Sequence, residues 1–203
     1  ASQTDSSLRL ELNLFDEQAY PFSVLLSVTY LLQNTGLQVE LEAKNLSNED
    51  VPVAFGMHPY FVLDQDSTLS VDAKTWITKN ARNLPLSTST FENSPLANNA
   101  GQDICNLELD ECFTDLRFDS NDVYVTTVTR PALGIAIEVE QSRELSHLML
   151  YRLQESSQPN RSLLAIEPQS APANAFRNLE SVASLAPAAT FQASYRVKFR
   201  SLR

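Results

Sequence analysis

The feature that most constrains the fold is the alternation of apolar and polar side chains at both ends of the chain. Leucines occupy every second position from Leu8 to Leu14, and apolar residues do the same from Phe191 to Phe199. A period of two is typical of β-strands that bury one face and expose the other. Both ends of the chain are therefore predicted to be half-buried strands.

Similar segments, rich in Val, Leu, Thr or Tyr, recur between clusters of turn-forming residues. They cover residues 22–32, 37–43, 68–71, 123–129, 134–139 and 147–151. Their spacing is typical of antiparallel meanders, and no long helical period is present that would cover a parallel sheet. We therefore predict an all-β protein, a large antiparallel β-sandwich, with residues 1–203 in a single domain.

One long segment lacks this pattern. Residues 80–103 are dense in Asn, Ser, Pro and Thr and contain few apolar positions. This composition is typical of a loop rather than of a regular element. We expect an extended loop there, and loops of that length often border a functional site.

The charge of the chain argues against nucleic acid as a partner. Acidic residues outnumber basic ones by 25 to 15, which gives a net charge of −10 that repels phosphate at long range. No apolar run approaches the roughly 18 residues of a membrane helix, and the first residues lack the basic and apolar parts of an export signal. We expect a cytoplasmic protein with no membrane partner.

The cysteines and histidines match no metal site. Cys105 and Cys112 are too far apart for a zinc knuckle and too few for a disulfide scaffold. Free thiols are the expected state, and two dispersed histidines add no spacing of metal ligands. No glycine-rich phosphate loop is present either, so neither a metal site nor a phosphate-binding loop is predicted.

Two residues stand out as partners for proton transfer. His58 lies in the segment Phe55-Gly56-Met57-His58-Pro59-Tyr60-Phe61, and Pro59 favours an extended backbone that places the imidazole at a strand end. Glu167 follows the apolar run Leu163-Leu164-Ala165-Ile166 and is itself followed by Pro168. Imidazole titrates near neutral pH, and burial would raise the pKa of the glutamate and make it a better base. General acid-base chemistry is the functional interpretation, and a core histidine with an ordinary strand-end acid is the alternative.

Asp110 and His147 are further candidates. Asp110 lies where polar and apolar residues alternate up to Phe113, and it is either a sugar-binding carboxylate or a solvated acid. His147 lies within an apolar stretch, and we interpret it as structural or as a bystander of the site.

Several separated motifs resemble the aldose 1-epimerase (galactose mutarotase) family in order and in spacing. They are Tyr20-Pro21-Phe22, Val28-Thr29-Tyr30, the segment from Phe55 to Phe61, Leu109-Asp110-Glu111-Cys112-Phe113, Ile166-Glu167-Pro168 with Asn174-Ala175-Phe176, and Leu185-Ala186-Pro187. The last motif lacks the glycine that usually ends it in the family. The resemblance covers nearly the whole chain.

The resemblance implies a galactose mutarotase-like sandwich that binds a small sugar on one face and needs no cofactor. His58 resembles the acid that protonates the ring oxygen, and Glu167 resembles the base that removes the proton of the C1 hydroxyl. Asp110 resembles the carboxylate that holds sugar hydroxyls. Tyr60 and Asn174, which belong to the same motifs, are the other expected contacts of the sugar.

The resemblance also implies a departure. Nothing before Tyr20 resembles the family's N-terminal strands, so we expect a chain that lacks them, with exposed sheet edges and without the arginine and histidine those strands supply. An aldohexose mutarotase, a non-catalytic carbohydrate-binding module and a hexose-phosphate epimerase remain open as functions. The last should gather arginines around the site, for which Arg143, Arg152, Arg161 and Arg177 are the candidates.

Overall fold

The computed structural model describes residues 1–15, 18–97, 104–105, 107–154 and 162–202, except for the side chain of Gln154. Within these ranges the chain forms strands joined by short turns. The strands are β1 (Ser2–Gln3), β2 (Ser7–Leu14), β3 (Val24–Gln33), β4 (Gly36–Asn45), β5 (Val51–Val53), β6 (Tyr60–Leu63), β7 (Thr68–Ser70), β8 (Ala73–Lys79), β9 (Pro85–Thr90), β10 (Asp110–Leu116), β11 (Val123–Arg130), β12 (Ile135–Ser142), β13 (His147–Gln154), β14 (Ser162–Gln169), β15 (Ala183–Leu185) and β16 (Thr190–Ser201). The described residues also form one helical turn, α1 (Ala175–Asn178), and 3₁₀ turns at Phe91–Asn93 and Pro131–Leu133.

Most of the strands belong to two antiparallel sheets. The larger sheet has the order β1-β2-β3-β4-β16-β12-β11-β7, and the smaller one has the order β6-β14-β13-β10-β8-β9. A short pair, β15 and β5, joins Ala183–Leu185 to Val51–Val53 beside them. The all-β class and the antiparallel sheets predicted from the alternation are confirmed.

The core lies between the two sheets. Val39 and Leu41 from β4 are fully buried in one apolar cluster with Leu150 from β13 and with Leu164 and Ile166 from β14. Because side chains alternate along a strand, the neighbours of these core residues on the smaller sheet point away from the larger sheet. That outward face is where a site can form without interrupting the core.

The predicted strand positions agree with the structure to within a few residues, but the loop predicted at residues 80–103 is wrong in part. Pro85–Thr90 forms β9, which pairs with β8, and Phe91–Asn93 forms a 3₁₀ turn. β9 is the last strand of its sheet and is largely exposed, so its Ser and Thr residues show no apolar alternation. Residues 98–103 lie outside the described residues.

The edge strand β2 leaves apolar side chains uncovered. Leu10 and Leu12 are exposed, although they continue the face that β4 buries. Among the described residues, no helix is long enough and apolar enough to cross a membrane.

Candidate active site

Backbone pairing places His58 directly opposite Glu167. Gly56 is bridged to Gln169 and Tyr60 pairs with Ala165, so the antiparallel register sets His58 against Glu167 on β14. Between these two pairs, the Met57 amide donates to the carbonyl of Pro168 at 3.1 Å, and the Ile166 amide donates to the carbonyl of Pro59 at 3.2 Å. The segment that carries the histidine is thus an irregular extension of β6 along β14.

The two side chains that this register aligns are in hydrogen-bond contact. His58 Nε2 lies 3.0 Å from Glu167 Oε1, with 52% of the imidazole and 8% of the carboxylate side chain exposed. The other carboxylate oxygen, Oε2, accepts a hydrogen bond of 3.1 Å from Gln169 Nε2. A half-exposed imidazole and a buried carboxylate are therefore in direct contact, and each oxygen of the carboxylate has a polar partner.

The surroundings of Glu167 favour its neutral form. Burial raises the pKa of the Glu167 carboxyl above its usual value, because a low-polarity environment disfavours the charged form. His58 and the amide of Gln169 oppose this rise, and the negative charge of Asp110 adds to it. The net rise makes this carboxylate a stronger base than an exposed glutamate, as general base catalysis near neutral pH requires.

These groups open onto a cleft on the outward face of the smaller sheet, with a volume of about 940 Å³. Cys112, Met149 and Glu167 lie side by side on β10, β13 and β14, and His58 continues this row. Burial and the nearby charges of Glu167 and Glu111 raise the pKa of Cys112 to about 12, so its thiol stays protonated. Cys112 is a free thiol, as predicted, and the thiol of Cys105 donates to the backbone carbonyl of Asp64.

A second charged pair lines the cleft on the far side of β13. Asp110 begins β10, and its Oδ2 lies 2.8 Å from Nζ of Lys79 at the end of β8. The same ammonium lies 3.6 Å from Oε1 of Glu111, which is buried and accepts a hydrogen bond of 2.6 Å from Nε1 of Trp76. We call Lys79 and Asp110 the β10 wall of the cleft, and His58, Glu167 and Gln169 the β14 wall.

The loop after β14 forms the lip of the cleft. Asn174 lies there in the left-handed backbone region, at a φ of 63°, and its side chain makes no capping hydrogen bond to α1. Phe176 and Arg177 line the same lip, and the ring of Phe176 meets the ring of Tyr20 edge-on at 6.4 Å.

The structure thus brings together four of the five residues that the sequence predicts for the site. His58, Glu167, Asp110 and Asn174 all line the cleft, whereas Tyr60 lies outside its lining, with its ring centroid 4.8 Å from that of His58. The predicted contact of Tyr60 with a sugar stays a prediction, and its observed contact is with the imidazole.

Other residues of the cleft lie outside the sequence prediction. Gln169 could have been found, because it stands two positions after Glu167 on a strand and so shares its face. Lys79 carries no such signal, because β8 itself was not predicted. His147 is buried outside the cleft lining, and burial lowers its pKa. Within the described ranges, no group of three or more His, Cys, Asp or Glu side chains is arranged to hold a metal ion.

Comparison with known protein sequences identifies a family and a distant relative. A sequence model of the aldose 1-epimerase family matches residues 1–198. The uncharacterized protein YihR of Escherichia coli K12 is 24% identical over 180 residues, which cover 86% of this chain and 56% of YihR. The chain therefore spans little more than half the length of that relative.

Solved structures share the fold at low sequence identity. A putative aldose 1-epimerase from Escherichia coli K12 superposes with a TM-score of 0.81 at 18% identity, covering 100% of this chain and 68% of its own. A GalM/aldose epimerase homologue from C. elegans gives 0.81 at 17% identity, with the same coverage of 100% and 68%. A galactose mutarotase-like protein from Clostridium acetobutylicum gives 0.80 at 16% identity, covering 99% and 64%. The fold is therefore galactose mutarotase-like.

Proposed function

Because this chain belongs to the aldose 1-epimerase family, we propose that it interconverts the α and β anomers of a free aldohexose by opening and reclosing the sugar ring. The observation that carries this proposal is the contact of 3.0 Å between His58 and Glu167 at the cleft. The C1 hydroxyl and the ring oxygen are bonded to the same carbon. A proton acceptor and a proton donor this close together can therefore reach both oxygens of one bound sugar.

The proposed reaction moves two protons in opposite directions. The Glu167 carboxylate takes the proton of the C1 hydroxyl while the His58 imidazolium gives its proton to the ring oxygen, and the bond between C1 and that oxygen breaks. The product is an open-chain aldehyde with a free C5 hydroxyl. Rotation about the C1–C2 bond exposes the other face of the aldehyde. The C5 hydroxyl then attacks that face, returning its proton to His58, and Glu167 protonates the new C1 oxygen.

At the end of this cycle, His58 and Glu167 have the protonation states with which they started. Imidazolium with carboxylate becomes imidazole with carboxylic acid on opening, and closure restores the first state. The raised pKa of Glu167 brings the two protonation states closer in free energy, which suits a pair that must work in both directions.

A hexose phosphate is less well supported as the substrate. Arg177 lines the cleft lip, but Arg143 bonds to Asp122 and Arg152 donates to backbone carbonyls elsewhere. Arg161 lies outside the described residues. Among the described residues, a single arginine lines the cleft, whereas binding of a phosphate group would favour a cluster of arginines.

A carbohydrate-binding module without turnover is the second candidate. The ammonium of Lys79 and the carboxylate of Asp110 line the cleft 2.8 Å apart, and such groups can hold sugar hydroxyls whether or not the ring opens.

The test is the decay of optical rotation of freshly dissolved α-D-glucose and α-D-galactose. The proposal expects this chain to accelerate the spontaneous decay, and Glu167→Gln to lose about 10²- to 10⁴-fold of the acceleration, the usual contribution of a general base. Glu138→Gln is the matched control, because Glu138 pairs with Arg200 on the larger sheet, away from the cleft.

Each outcome of this test separates the candidates. Calorimetric titration with the same sugars, with folding checked by circular dichroism, identifies binding without turnover. Binding without acceleration supports the module. Equal acceleration by the parent and by Glu167→Gln would contradict the proposed role of Glu167.

A further inference from the structure

We propose that Lys79 is a specificity-determining residue that recognises, together with Asp110, two neighbouring hydroxyl groups of the sugar. The inference rests on the proposed function, because it places a sugar in the same cleft. It assigns a cationic donor to the cleft from β8, a strand that the sequence did not predict.

The first step of the argument is the position of Lys79 in the sheet. β8 pairs with β10 so that Ile77 lies opposite Cys112, and the same register sets Lys79 opposite Asp110. On its other side, β8 pairs with β9 with a shift of register between Thr78 and Lys79. Such bulges bend a strand and redirect a side chain, and they occur often beside active sites. Lys79 accordingly lines the cleft.

The second step is the count of hydrogen-bond donors. An ammonium group has three donors. Lys79 Nζ contacts Oδ2 of Asp110 at 2.8 Å and also donates to the backbone carbonyl of Asp110. Its third neighbour, Oε1 of Glu111, is 3.6 Å away, which is too long for a hydrogen bond. One donor therefore remains for a ligand.

The third step is the free acceptor beside that donor. Lys79 engages Oδ2 of Asp110, whereas Oδ1 accepts no hydrogen bond from the residues that the structure describes. A donor and an acceptor thus stand side by side at the cleft. Adjacent hydroxyls of a pyranose match them, because one can donate to the carboxylate while the oxygen of the next accepts from the ammonium.

The fourth step is the charge. Lys79 is the single cation within 4 Å of Asp110 and Glu111 among the described residues, so two carboxylates share one ammonium. Glu111 is buried, and its other oxygen is held by Trp76. This arrangement holds the ammonium on the β10 wall and limits its side-chain freedom, which lowers the entropy cost of donating to a sugar.

A purely structural role for Lys79 is the competing explanation, and monodeoxy sugars distinguish the two. The experiment measures kcat/KM for D-glucose and for its 2-deoxy, 3-deoxy and 4-deoxy forms, with the parent, Lys79→Met and Lys79→Arg. The parent should disfavour at least one deoxy sugar by about tenfold, the effect of a lost hydrogen bond to a charged group. Lys79→Met should bring the ratio of kcat/KM for D-glucose to kcat/KM for that deoxy sugar, here called the deoxy ratio, to near one. It should also raise KM for D-glucose about tenfold, with kcat changed less than KM.

Lys198→Met is the matched control. Lys198 pairs with Glu140 at 2.5 Å on the larger sheet, and its side chain is 28% exposed, against 25% for Lys79. It should keep the deoxy ratios and KM of the parent. Lys79→Arg keeps a cation against Glu111 and protects the fold, but it moves the donors, so it should change the deoxy ratio at least threefold without a change in melting temperature.

The outcomes separate this inference from the proposed function. If the parent accelerates mutarotation and both Lys79 variants keep its deoxy ratios, the inference is overturned and the proposed function stands. If the parent does not turn over sugars, calorimetric titration with the same four sugars replaces kcat/KM, and Lys79 must still determine the ratio of affinities. If the parent neither turns over nor binds these sugars, both proposals fail together. If Lys79→Met does not fold, Lys79→Arg decides alone.

Discussion

The two walls of the cleft each present a carboxylate, and the two carboxylates have opposite surroundings. On the β14 wall, Glu167 is 8% exposed and faces the imidazole of His58. On the β10 wall, Asp110 is 33% exposed and faces the ammonium of Lys79. Two carboxylates in different environments can serve different purposes in one site. One sheet face thus provides two distinct environments for the same chemical group.

The register of the strands is the source of this difference. His58 lies opposite Glu167, and Lys79 lies opposite Asp110, so each carboxylate receives its partner from the neighbouring strand. A histidine can donate and accept a proton near neutral pH, whereas a lysine ammonium offers only hydrogen-bond donors. The partner, rather than the carboxylate, thus distinguishes the two walls.

The largest expected effect comes from removing the acid of the β14 wall. His58→Gln should lower kcat/KM for mutarotation by about 10²- to 10⁴-fold with little change in KM. The double variant with Glu167→Gln should lose little more than either single variant, because the two groups act as a unit. His147→Gln, which changes the other histidine, should affect the melting temperature rather than kcat. Additive losses from the two β14-wall variants would contradict a joint action of His58 and Glu167.

The next effect should come from the β10 wall and appear in a different kinetic constant. Asp110→Asn removes the charge that we expect to hold sugar hydroxyls, so KM should rise about 10- to 100-fold with a smaller change in kcat. Steady-state polarimetry over a range of sugar concentrations separates the two constants. A loss confined to kcat would assign Asp110 to proton transfer and abolish the distinction between the walls.

A smaller effect should appear in the pH dependence of kcat/KM, because the charge of Asp110 influences the pKa of Glu167. Glu167 must be ionised to act as the base, so kcat/KM should fall as the pH decreases through its raised pKa, above the range of an ordinary glutamate. Asp110→Asn removes a negative charge that raises the pKa of Glu167, so this acid limb should move to lower pH. Gln169→Leu removes a donor to the carboxylate and should move the limb to higher pH. If neither substitution shifts the acid limb of the pH profile, a group other than Glu167 controls that limb.

The smallest effect should be on stability. The pKa of Glu167 is higher in the folded chain than in the unfolded one, so the folded state binds its proton more tightly. Its contribution to stability is therefore greatest below the ordinary pKa of a glutamate and is lost as the pH rises from that value to the raised one. The Glu167→Gln variant has no carboxyl group to ionise, so it does not lose this stability as the pH rises. Its melting temperature should exceed that of the parent at pH 7, and the difference should shrink near pH 4.

The strands predicted from the sequence are those whose environment differs between their two faces. β2 and β16 alternate in apolar and polar residues, and both were found. β8 was missed because its apolar residues, Ala73, Trp76 and Ile77, do not alternate. β9 was missed because an exposed edge strand has no face to bury. Alternation predicts a strand only where one side of it meets the core.

The candidate site divides in a similar way. His58 and Glu167 could be selected because their chemistry is unusual at strand ends, but their contact depends on a register between segments that are distant in the sequence. Lys79 could not be selected, because lysine is common on surfaces and the shift of register that redirects it arises only when β8 and β9 pair. Residue type predicts which groups can react, and strand pairing decides which groups meet.

The pairing of the His58 segment with β14 also bears on how the candidate site forms as the protein folds. His58 and Glu167 are separated in the chain by β6 through β13, so their hydrogen bond can form only after a large loop has closed. Contacts between such distant positions form late and slowly compared with local hairpins such as β3–β4. During refolding, His58 and Glu167 should meet after most of the β-sheet signal has returned. The proposed mutarotase activity would then report completion of the whole sheet rather than the appearance of its strands.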